Sequence, residues 1–223
     1  MKKIAIITAG GIGSRMGTTL PKQFLLLKDK PILWHTLKAF LNAYADFYFI
    51  VVLPKEYLDA GDNLVKELNI TDKTTIVIGG ETRFHSVQNG LSLINEASVV
   101  FVHDGVRCLI SPELIKRCYE QAILLGSAIP AVASTDSVRI EEGDVHHSID
   151  RSNVRIVQTP QTFLSDIILP AFNQTYNESF TDEASVVEAY GKTVCLIEGE
   201  YQNIKITRPV DLQIAETILE GKY

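Results

Sequence analysis

A glycine-rich turn followed by two basic residues is the part of this sequence whose residue types could do chemistry. Residues 7–22 read ITAGGIGSRMGTTLPK, and the candidates within them are Gly10, Gly11, Gly13, Arg15 and Lys22. Glycine lacks a Cβ, so its backbone can bring N–H groups close to an anionic ligand. The two cations could face a polyphosphate, where charge shifts during phosphoryl or nucleotidyl transfer. The segment therefore predicts a nucleoside triphosphate site.

Two better-known glycine motifs do not fit this turn. A dinucleotide fingerprint would place a third glycine where Met16 stands, and an acidic residue at the end of the second strand, where the chain has Leu53 and Pro54. A P-loop requires Gly-Lys-Ser/Thr at the end of an eight-residue loop, and the tripeptide at 191–193 has Val186 where the opening glycine belongs. A plain tight turn is the alternative, because such turns are common after strands. The two basic residues that follow favour phosphate binding.

Composition indicates an ordinary globular protein with one substantial core. Hydrophobic residues make up 46% of the 223 residues and charged residues 22%. The net charge of −6 argues against a general nucleic-acid binder, so an anionic substrate must be met by a local cluster of cations. No apolar run approaches the length of a signal peptide core or a membrane span. Three cysteines without metal-binding spacing are expected to be reduced thiols, and we expect a cytoplasmic protein that binds no membrane.

Short apolar runs alternate with stretches of helical spacing. The runs lie at 3–8, 48–53, 75–78, 99–103 and 128–133, and the helical stretches at 31–44, 55–68, 83–94 and 112–125. Nearly continuous apolar runs are typical of strands buried on both faces. This alternation predicts an α/β fold with a mostly parallel sheet flanked by helices. Ligands of such sheets bind beyond the carboxyl ends of the strands, where Thr8, Gly79 and Asp104 are expected.

Residues 134–158 interrupt this rhythm with alternating polar and apolar residues around a Glu-Glu-Gly-Asp turn. They predict a two-stranded arm, which is only marginally stable alone and needs another surface, such as a symmetric partner chain. Beyond it we expect helices near 164–174 and 182–190, a strand near 193–197 and a closing helix over 209–220. With no internal repeat or linker, residues 1–223 are predicted to form a single domain that carries the arm.

A series of short motifs then identifies a relationship. In chain order they are ITAGGIGSRM, PKQF, GGETRFHSV, VHDGVR, DRS, QTPQ, TDEASVVE and NIKITRP. Over residues 3–218 the chain resembles the 2-C-methyl-D-erythritol 4-phosphate cytidylyltransferases of the non-mevalonate isoprenoid pathway. The resemblance implies a Rossmann-like nucleotidyltransferase fold, CTP and a sugar-alcohol phosphate as substrates, a divalent cation, usually Mg²⁺, and a homodimer formed through the arm. It also implies CMP transfer with release of pyrophosphate.

The resemblance assigns roles to individual residues. The catalytic cations are Arg15, Lys22 and Lys205, and Lys22 is the first choice for stabilising the transition state. The nucleotide-binding residues are Ala9, Gly10, Gly11, Gly13, Gly80, Glu81, Ser86 and Asp104. The substrate-binding residues are Arg107, Ser137, Arg151, Thr159 and Thr181. Asp104 is also the candidate metal ligand, with the CTP phosphates as the main ligands.

Each of these assignments has a structural alternative. Asp104 ends a buried strand, where an unpaired carboxylate would be costly, so it could simply form an ion pair with Arg107. Arg83 opens a predicted helix, where pairing with nearby carboxylates is one role open to it. No spacing supports a metal or acid-base role for the histidines, and His85 and His103 are interpreted as structural.

Three other functions are alternatives to methylerythritol phosphate cytidylyl transfer. Ribitol-5-phosphate cytidylyltransferases share several of the motifs, but Asp150, Arg151 and Ser152 favour the methylerythritol enzymes. A non-catalytic nucleotide-binding dimer is disfavoured by the complete set of cations. A nicotinamide-dependent oxidoreductase is disfavoured by the failed fingerprint. The chain also departs from the family pattern at Gly105, Val106 and Cys108, where Ala-Ala and proline are usual, which leaves the path of that loop open.

Overall fold

The computed structural model describes residues 1–11 and 20–221 and confirms the predicted α/β architecture. The strands are β1 (Lys2–Thr8), β2 (Leu26–Leu27), β3 (Lys30–Pro31), β4 (Tyr48–Leu53), β5 (Thr74–Ile78), β6 (Ser98–Asp104), β7 (Ser127–Ala133), β8 (Val138–Glu142), β9 (Val145–Ile149), β10 (Arg155–Val157), β11 (Gln161–Leu164) and β12 (Leu196–Glu198). The helices are α1 (Ile32–Ala43), α2 (Leu58–Glu67), α3 (Arg83–Leu91), α4 (Pro112–Leu125), α5 (Ser165–Ala171), α6 (Glu183–Ala189) and α7 (Pro209–Leu219).

One mixed eight-stranded sheet is the main sheet of the described residues. Its strand order is β10-β7-β11-β6-β1-β4-β5, and β12 pairs with β7. The strands β5, β4, β1 and β6 are mutually parallel, whereas β11 runs antiparallel to β6 and β7, between which it lies. The register pairs Thr8 with Asp104 at the carboxyl ends of β1 and β6. Two of the three residues predicted at strand ends, Thr8 and Asp104, are therefore neighbours.

The central strands are buried on both faces, as their apolar sequences predicted. Every residue of β6 is buried. One face of the sheet packs on an aromatic cluster that includes Phe40, Phe47 and Phe101. The other face packs on α3, α5 and α6, where the Phe84 and Phe172 rings stack 4.8 Å apart. These two layers hold the carboxyl ends of the strands in fixed positions.

Capping residues define the helices that surround the site. Ser111 caps α4 by accepting a hydrogen bond from the Leu114 N–H at 3.0 Å, and α4 has the predicted limits of 112–125. Thr82 caps α3, and Asp182 forms a capping box with Ser185 at the start of α6. The stretch predicted as one helix over 55–68 begins instead with a separate 3₁₀ turn before α2.

The arm forms a hairpin of β8 and β9 whose residues are nearly all exposed. The last part of the predicted 134–158 segment returns to the main sheet, because β10 pairs antiparallel with β7. Within the portion of the chain that the structure describes, no helix has the length and apolar character to cross a membrane.

Candidate functional site

A cavity of about 270 Å³ opens at the carboxyl ends of β1 and β6. It is lined by Thr8, Ala9, Gly10, Gly11, Lys22, Gln23, Gly80, Glu81, Thr82, Arg83, Ser86, Asp104, Val106 and Lys205. A larger groove of about 730 Å³ lies beside β7 and β12 and is lined mainly by residues 131–133 and 196–202. We place the chemistry in the smaller cavity because the charged groups converge there.

The glycine segments form one wall of this cavity. The Ala9 N–H donates to the Val52 carbonyl at 2.9 Å, so the chain leaves β1 in line with the sheet. The Gly80 N–H donates to the Ser86 hydroxyl at 3.0 Å, and a Cβ on Gly80 would lie 2.4 Å from the Cβ of His85. Glycine is therefore required at position 80 by the packing of the protein itself. Gly13 and Arg15 lie outside the described residues.

Two of the predicted catalytic cations meet in the cavity. The Lys22 ammonium donates to the Ile206 carbonyl at 3.1 Å, and the neighbouring Lys205 lies with its ammonium 3.0 Å from the Asp104 carboxylate. Lys22 precedes α1 and Lys205 precedes α7, so distant parts of an acidic chain supply both positive charges. Arg15 was expected to join them.

Asp104 is the charged centre of the site. Its buried carboxylate faces three cations: Lys205 at 3.0 Å, Arg107 at 3.3 Å and Arg83 at 3.5 Å. Burial alone would raise the pKa of Asp104, but the charges of Arg83, Lys205 and Arg107 outweigh burial and hold its pKa well below the usual range. The carboxylate is therefore ionised at neutral pH, and the excess charge around it is positive.

A buried ion pair links α3 to α6 behind Asp104. The Arg83 guanidinium donates to both carboxylate oxygens of Glu183, whose side chain is 1% exposed. Burial raises the pKa of Glu183, and the Arg83 charge opposes this. Burial alone would lower the pKa of Arg83, but the charges of Glu183 and Asp104 outweigh burial and raise it. Pairing of Arg83 with carboxylates was one of the roles left open from the sequence. The position of Glu183 in the first turn of α6 gave no indication that it would pair with Arg83.

His103 is a neutral structural residue, in agreement with its interpretation from the sequence. Its ring is fully buried and lies 3.0 Å from the Thr159 hydroxyl and 3.1 Å from the Arg107 carbonyl. A carbonyl can only accept, so Nε2 carries the proton and Nδ1 accepts from Thr159. Burial lowers the pKa of His103 to about 4. Nothing in this arrangement provides a general base.

The predicted substrate-binding residues are more dispersed. Arg107 is mostly buried, with its guanidinium on Asp104 and on the Asn203 carbonyl at 2.8 Å, and it does not line the cavity. The Thr159 hydroxyl accepts from the Asp104 N–H at 3.0 Å and is likewise internal. Ser137, Arg151 and Thr181 are exposed, the first two on either side of the arm hairpin. Their contact with substrate stays a prediction.

The departures from the family pattern are accommodated beside Asp104. The Gly105 N–H donates to the Thr8 carbonyl at 2.9 Å, and a Cβ at this position would lie 3.0 Å from that of Ala9. Val106 lines the cavity, whereas Cys108 is buried in the core beneath α7. Gln23 and Thr82 also line the cavity. They belong to the PKQF and GGETRFHSV motifs, but neither was assigned a role of its own from the sequence.

Comparisons with known proteins relate this architecture to one enzyme family. A family model described as 2-C-methyl-D-erythritol 4-phosphate cytidylyltransferase matches residues 3–221. The protein of that name from Bacteroides fragilis is 45% identical over 219 residues, which cover 98% of this chain and 100% of the relative. Its counterpart from Clostridium novyi is 38% identical over 225 residues, with coverage of 99% and 97%.

Solved structures show the same likeness. The crystal structure of 2-C-methyl-D-erythritol 4-phosphate cytidylyltransferase from Thermus thermophilus superposes with a TM-score of 0.77 at 29% identity, covering 99% of this chain and 100% of the other. The structure of 4-diphosphocytidyl-2C-methyl-D-erythritol synthase from Anaerococcus prevotii gives a TM-score of 0.83 at 28% identity, with coverage of 98% and 99%.

Proposed function

The chain belongs to the family of 2-C-methyl-D-erythritol 4-phosphate cytidylyltransferases, and we propose that the Lys22–Lys205 cavity is where it binds CTP and transfers CMP to the sugar-alcohol phosphate. The observation that carries this assignment is the convergence of Lys22 and Lys205 beside Asp104 at the strand ends. The product is 4-diphosphocytidyl-2-C-methyl-D-erythritol, and pyrophosphate leaves.

The reaction requires positioning and charge neutralisation. An oxygen of the acceptor's phosphate forms a new bond to the α-phosphorus of CTP, and the bond from that phosphorus to the bridging oxygen of the β-phosphate breaks. The acceptor's phosphate is already ionised at neutral pH, so the step transfers no proton to the protein. Negative charge develops on the α-phosphate oxygens and on the leaving pyrophosphate, and fixed cations stabilise that state more than bound CTP. We assign this role to Lys22 and Lys205, with Arg15 as the third predicted cation.

The nucleotide side of the site consists of the glycine segments and the start of α3. Gly80 and Ser86 are joined by a hydrogen bond, and a Cβ on Gly10 would lie 3.5 Å from the Ser86 hydroxyl. Closely packed backbone of this kind supplies fixed donors and acceptors, which is what recognition of a cytosine edge requires. The exposed carboxylate of Glu81 lines the same wall. We assign base recognition to this wall.

The donors present fit a divalent cation that is held mainly by the substrate. Among the described side chains, no group of three His, Cys, Asp or Glu residues converges in the way that an all-protein metal site requires. Mg²⁺ is usually bound by one or two carboxylates together with substrate phosphates, and Asp104 is a carboxylate in the cavity. When bound, the ion would neutralise phosphate charge. Asp104 would be its protein ligand, in competition with the Lys205 ammonium that lies 3.0 Å from the carboxylate.

We also place the enzyme in the cytoplasm as a homodimer. All three cysteines are free thiols, as a reducing compartment maintains them. An isolated hairpin such as β8–β9, with Val145 70% exposed, is marginally stable in water and gains stability by packing on a second chain. In such a dimer Arg151 would act in the neighbouring site. Mixing the inactive variants Lys22→Ala and Arg151→Ala should then restore activity, whereas sites complete within one chain would leave the mixture inactive.

Pyrophosphate release tests the proposed reaction directly. The purified protein is incubated with CTP, Mg²⁺ and either 2-C-methyl-D-erythritol 4-phosphate or ribitol 5-phosphate, and we expect release with the first. Lys22→Ala should lower kcat by roughly a hundredfold to a thousandfold with an unchanged circular dichroism spectrum. Lys55→Ala removes an exposed lysine outside the cavity and should leave kcat unchanged. Release with ribitol 5-phosphate alone, or a Lys22→Ala variant with normal turnover, would contradict the assignment.

A further inference from the structure

Gln23 makes an unusual pair of contacts at the base of the cavity. Its side chain is 1% exposed, although glutamine is usually a surface residue. The carboxamide nitrogen lies 2.6 Å from the Ala9 carbonyl and 3.2 Å from the Gly11 carbonyl. Both hydrogens of one amide therefore bind the glycine turn, and the mechanism has no use for this residue as a ligand or a proton carrier.

These contacts constrain the orientation of the turn. The C=O and N–H of a trans peptide unit point in opposite directions, so a carbonyl that is held on one side fixes the direction of the N–H on the other. Gln23 holds the carbonyl of Ala9, and the N–H of Gly10 belongs to the same peptide unit. Glycine has no Cβ to restrict its backbone, so this orientation needs an external constraint.

The same short turn also contacts the opposite wall of the cavity. Gln23 and Lys22 are adjacent in the 3₁₀ turn Lys22–Phe24. Gln23 binds the glycine turn, while Lys22 binds the Ile206 carbonyl next to Lys205. Residues 22 and 23 therefore tie the phosphate-binding backbone on one side to the catalytic lysine segment on the other.

From these contacts we infer that Gln23 is a positioning residue that holds residues 9–11 of the glycine turn in the orientation that accepts the nucleotide phosphates. Few other side chains meet this geometry. Glutamate has the same length but no hydrogen to donate at neutral pH, asparagine is one methylene shorter, and methionine fills the volume without donating. The inference rests on the proposed binding of CTP in this cavity.

A purely structural glutamine predicts a different outcome, and Gln121 supplies the comparison. The Gln121 carboxamide also donates to backbone carbonyls, those of Ser127 at 3.3 Å and Cys195 at 3.2 Å, but it lies outside the cavity. Gln23→Met and Gln121→Met therefore remove the same kind of contact from two places. Both are expected to lower thermal stability, but Gln23→Met alone should weaken nucleotide binding.

Calorimetric titration with CTP and Mg²⁺, without acceptor, tests this directly. Gln23→Met should raise the Kd for CTP by about tenfold to a hundredfold, since two backbone acceptors lose their donor, whereas Gln121→Met should stay within about threefold of the wild type. If Gln23→Met does not fold, Gln23→Asn keeps the donors out of reach and should give the same selective loss.

Turnover assays complete the test. Each KM is measured with the other substrate saturating. Relative to the wild type, the Gln23 variant should show a larger rise in the KM for CTP than in the KM for 2-C-methyl-D-erythritol 4-phosphate. Equal Kd values for CTP in wild type and in the folded Gln23 variant would overturn the positioning role. A wild-type protein that binds CTP but does not transfer CMP would contradict the proposed reaction, while the comparison of Kd values would still test the positioning role of Gln23. A wild-type protein that binds no CTP would overturn both the proposed reaction and the positioning role.

Discussion

Replacing His103 with glutamine should remove a pH-dependent part of the protein's stability. In the folded state burial lowers the pKa of His103 to about 4, whereas the ordinary value is 6.5. Between these pH values the unfolded chain binds a proton that the folded chain rejects, so the wild type loses stability as the pH falls through this window. Above pH 6.5 and below pH 4 this contribution is constant. Glutamine is neutral throughout.

The size of the effect follows from the same two values. At about 1.4 kcal/mol per pH unit, a fall from 6.5 to about 4 corresponds to roughly 3 kcal/mol of unfolding free energy. At pH 7 His103→Gln should be less stable than the wild type by about 1–3 kcal/mol, because the amide cannot reproduce together the ring's contacts with the Thr159 hydroxyl and the Arg107 carbonyl and its packing on Phe40. By pH 4 this difference should have disappeared or reversed.

Urea denaturation of both proteins at intervals from pH 7 to pH 4, without CTP or divalent metal, measures this difference. Carboxylates that titrate in both proteins cancel in the comparison. His147→Gln, at an exposed position of β9, is the matched control and should follow the wild type at every pH. If the stability difference between His103→Gln and the wild type stays constant from pH 7 to pH 4, the conclusion that the buried His103 ring is neutral in the folded protein is wrong.

Further predictions concern the backbone of the site and the ion pair behind it. Gly80→Ala should lower the Tm, since its Cβ would lie 2.4 Å from that of His85. A Cβ on Gly11 meets no atom within 4 Å in the described structure, so Gly11→Ala should leave the Tm unchanged and raise only the KM for CTP. Equal Tm values for the two variants would contradict this. Arg83→Met leaves the Glu183 carboxylate buried without its partner and should cost about 3–5 kcal/mol in urea unfolding, most of which the added change Glu183→Met should restore. A double variant no more stable than Arg83→Met would contradict that account.

Much of the fold could be predicted because its determinants are local. Strands such as β4 are buried on both faces and therefore appear as continuous apolar runs with clear ends. Helix α4 begins at a serine cap followed by proline and ends at Gly126, which has a left-handed φ of 86°. β11 was missed because it has four residues, two of them the polar Gln161 and Thr162, and it becomes a strand only by pairing with distant segments.

The candidate site also has a part that the sequence could predict and a part that depends on tertiary contacts. The placement of Thr8 beside Asp104 could be expected, since parallel strands present their carboxyl ends at one edge. The positions of Lys22 and Lys205 near Asp104 were implied by the family resemblance, because neither lysine lies in a strand of the sheet.

The contacts of Gln23 and Glu183 could not be expected, because each depends on a backbone or a guanidinium brought close by tertiary folding. Whether Arg107 faces a substrate or an internal carboxylate likewise depends on the direction of its side chain, which the sequence pattern does not specify.

The insertion of β11 between β6 and β7 has a consequence for biosynthesis. A growing polypeptide on the ribosome completes β6 and β7 before it reaches residues 161–164, so the slot between them stays open until that late segment emerges. The exposed edge belongs to Ser98–Asp104, an apolar and β-branched segment of the kind that associates with other chains. Truncated chains that end before β11 should therefore be prone to aggregation and be recognised by chaperones and proteases. Only the full-length chain covers the edge of the strand that carries Asp104.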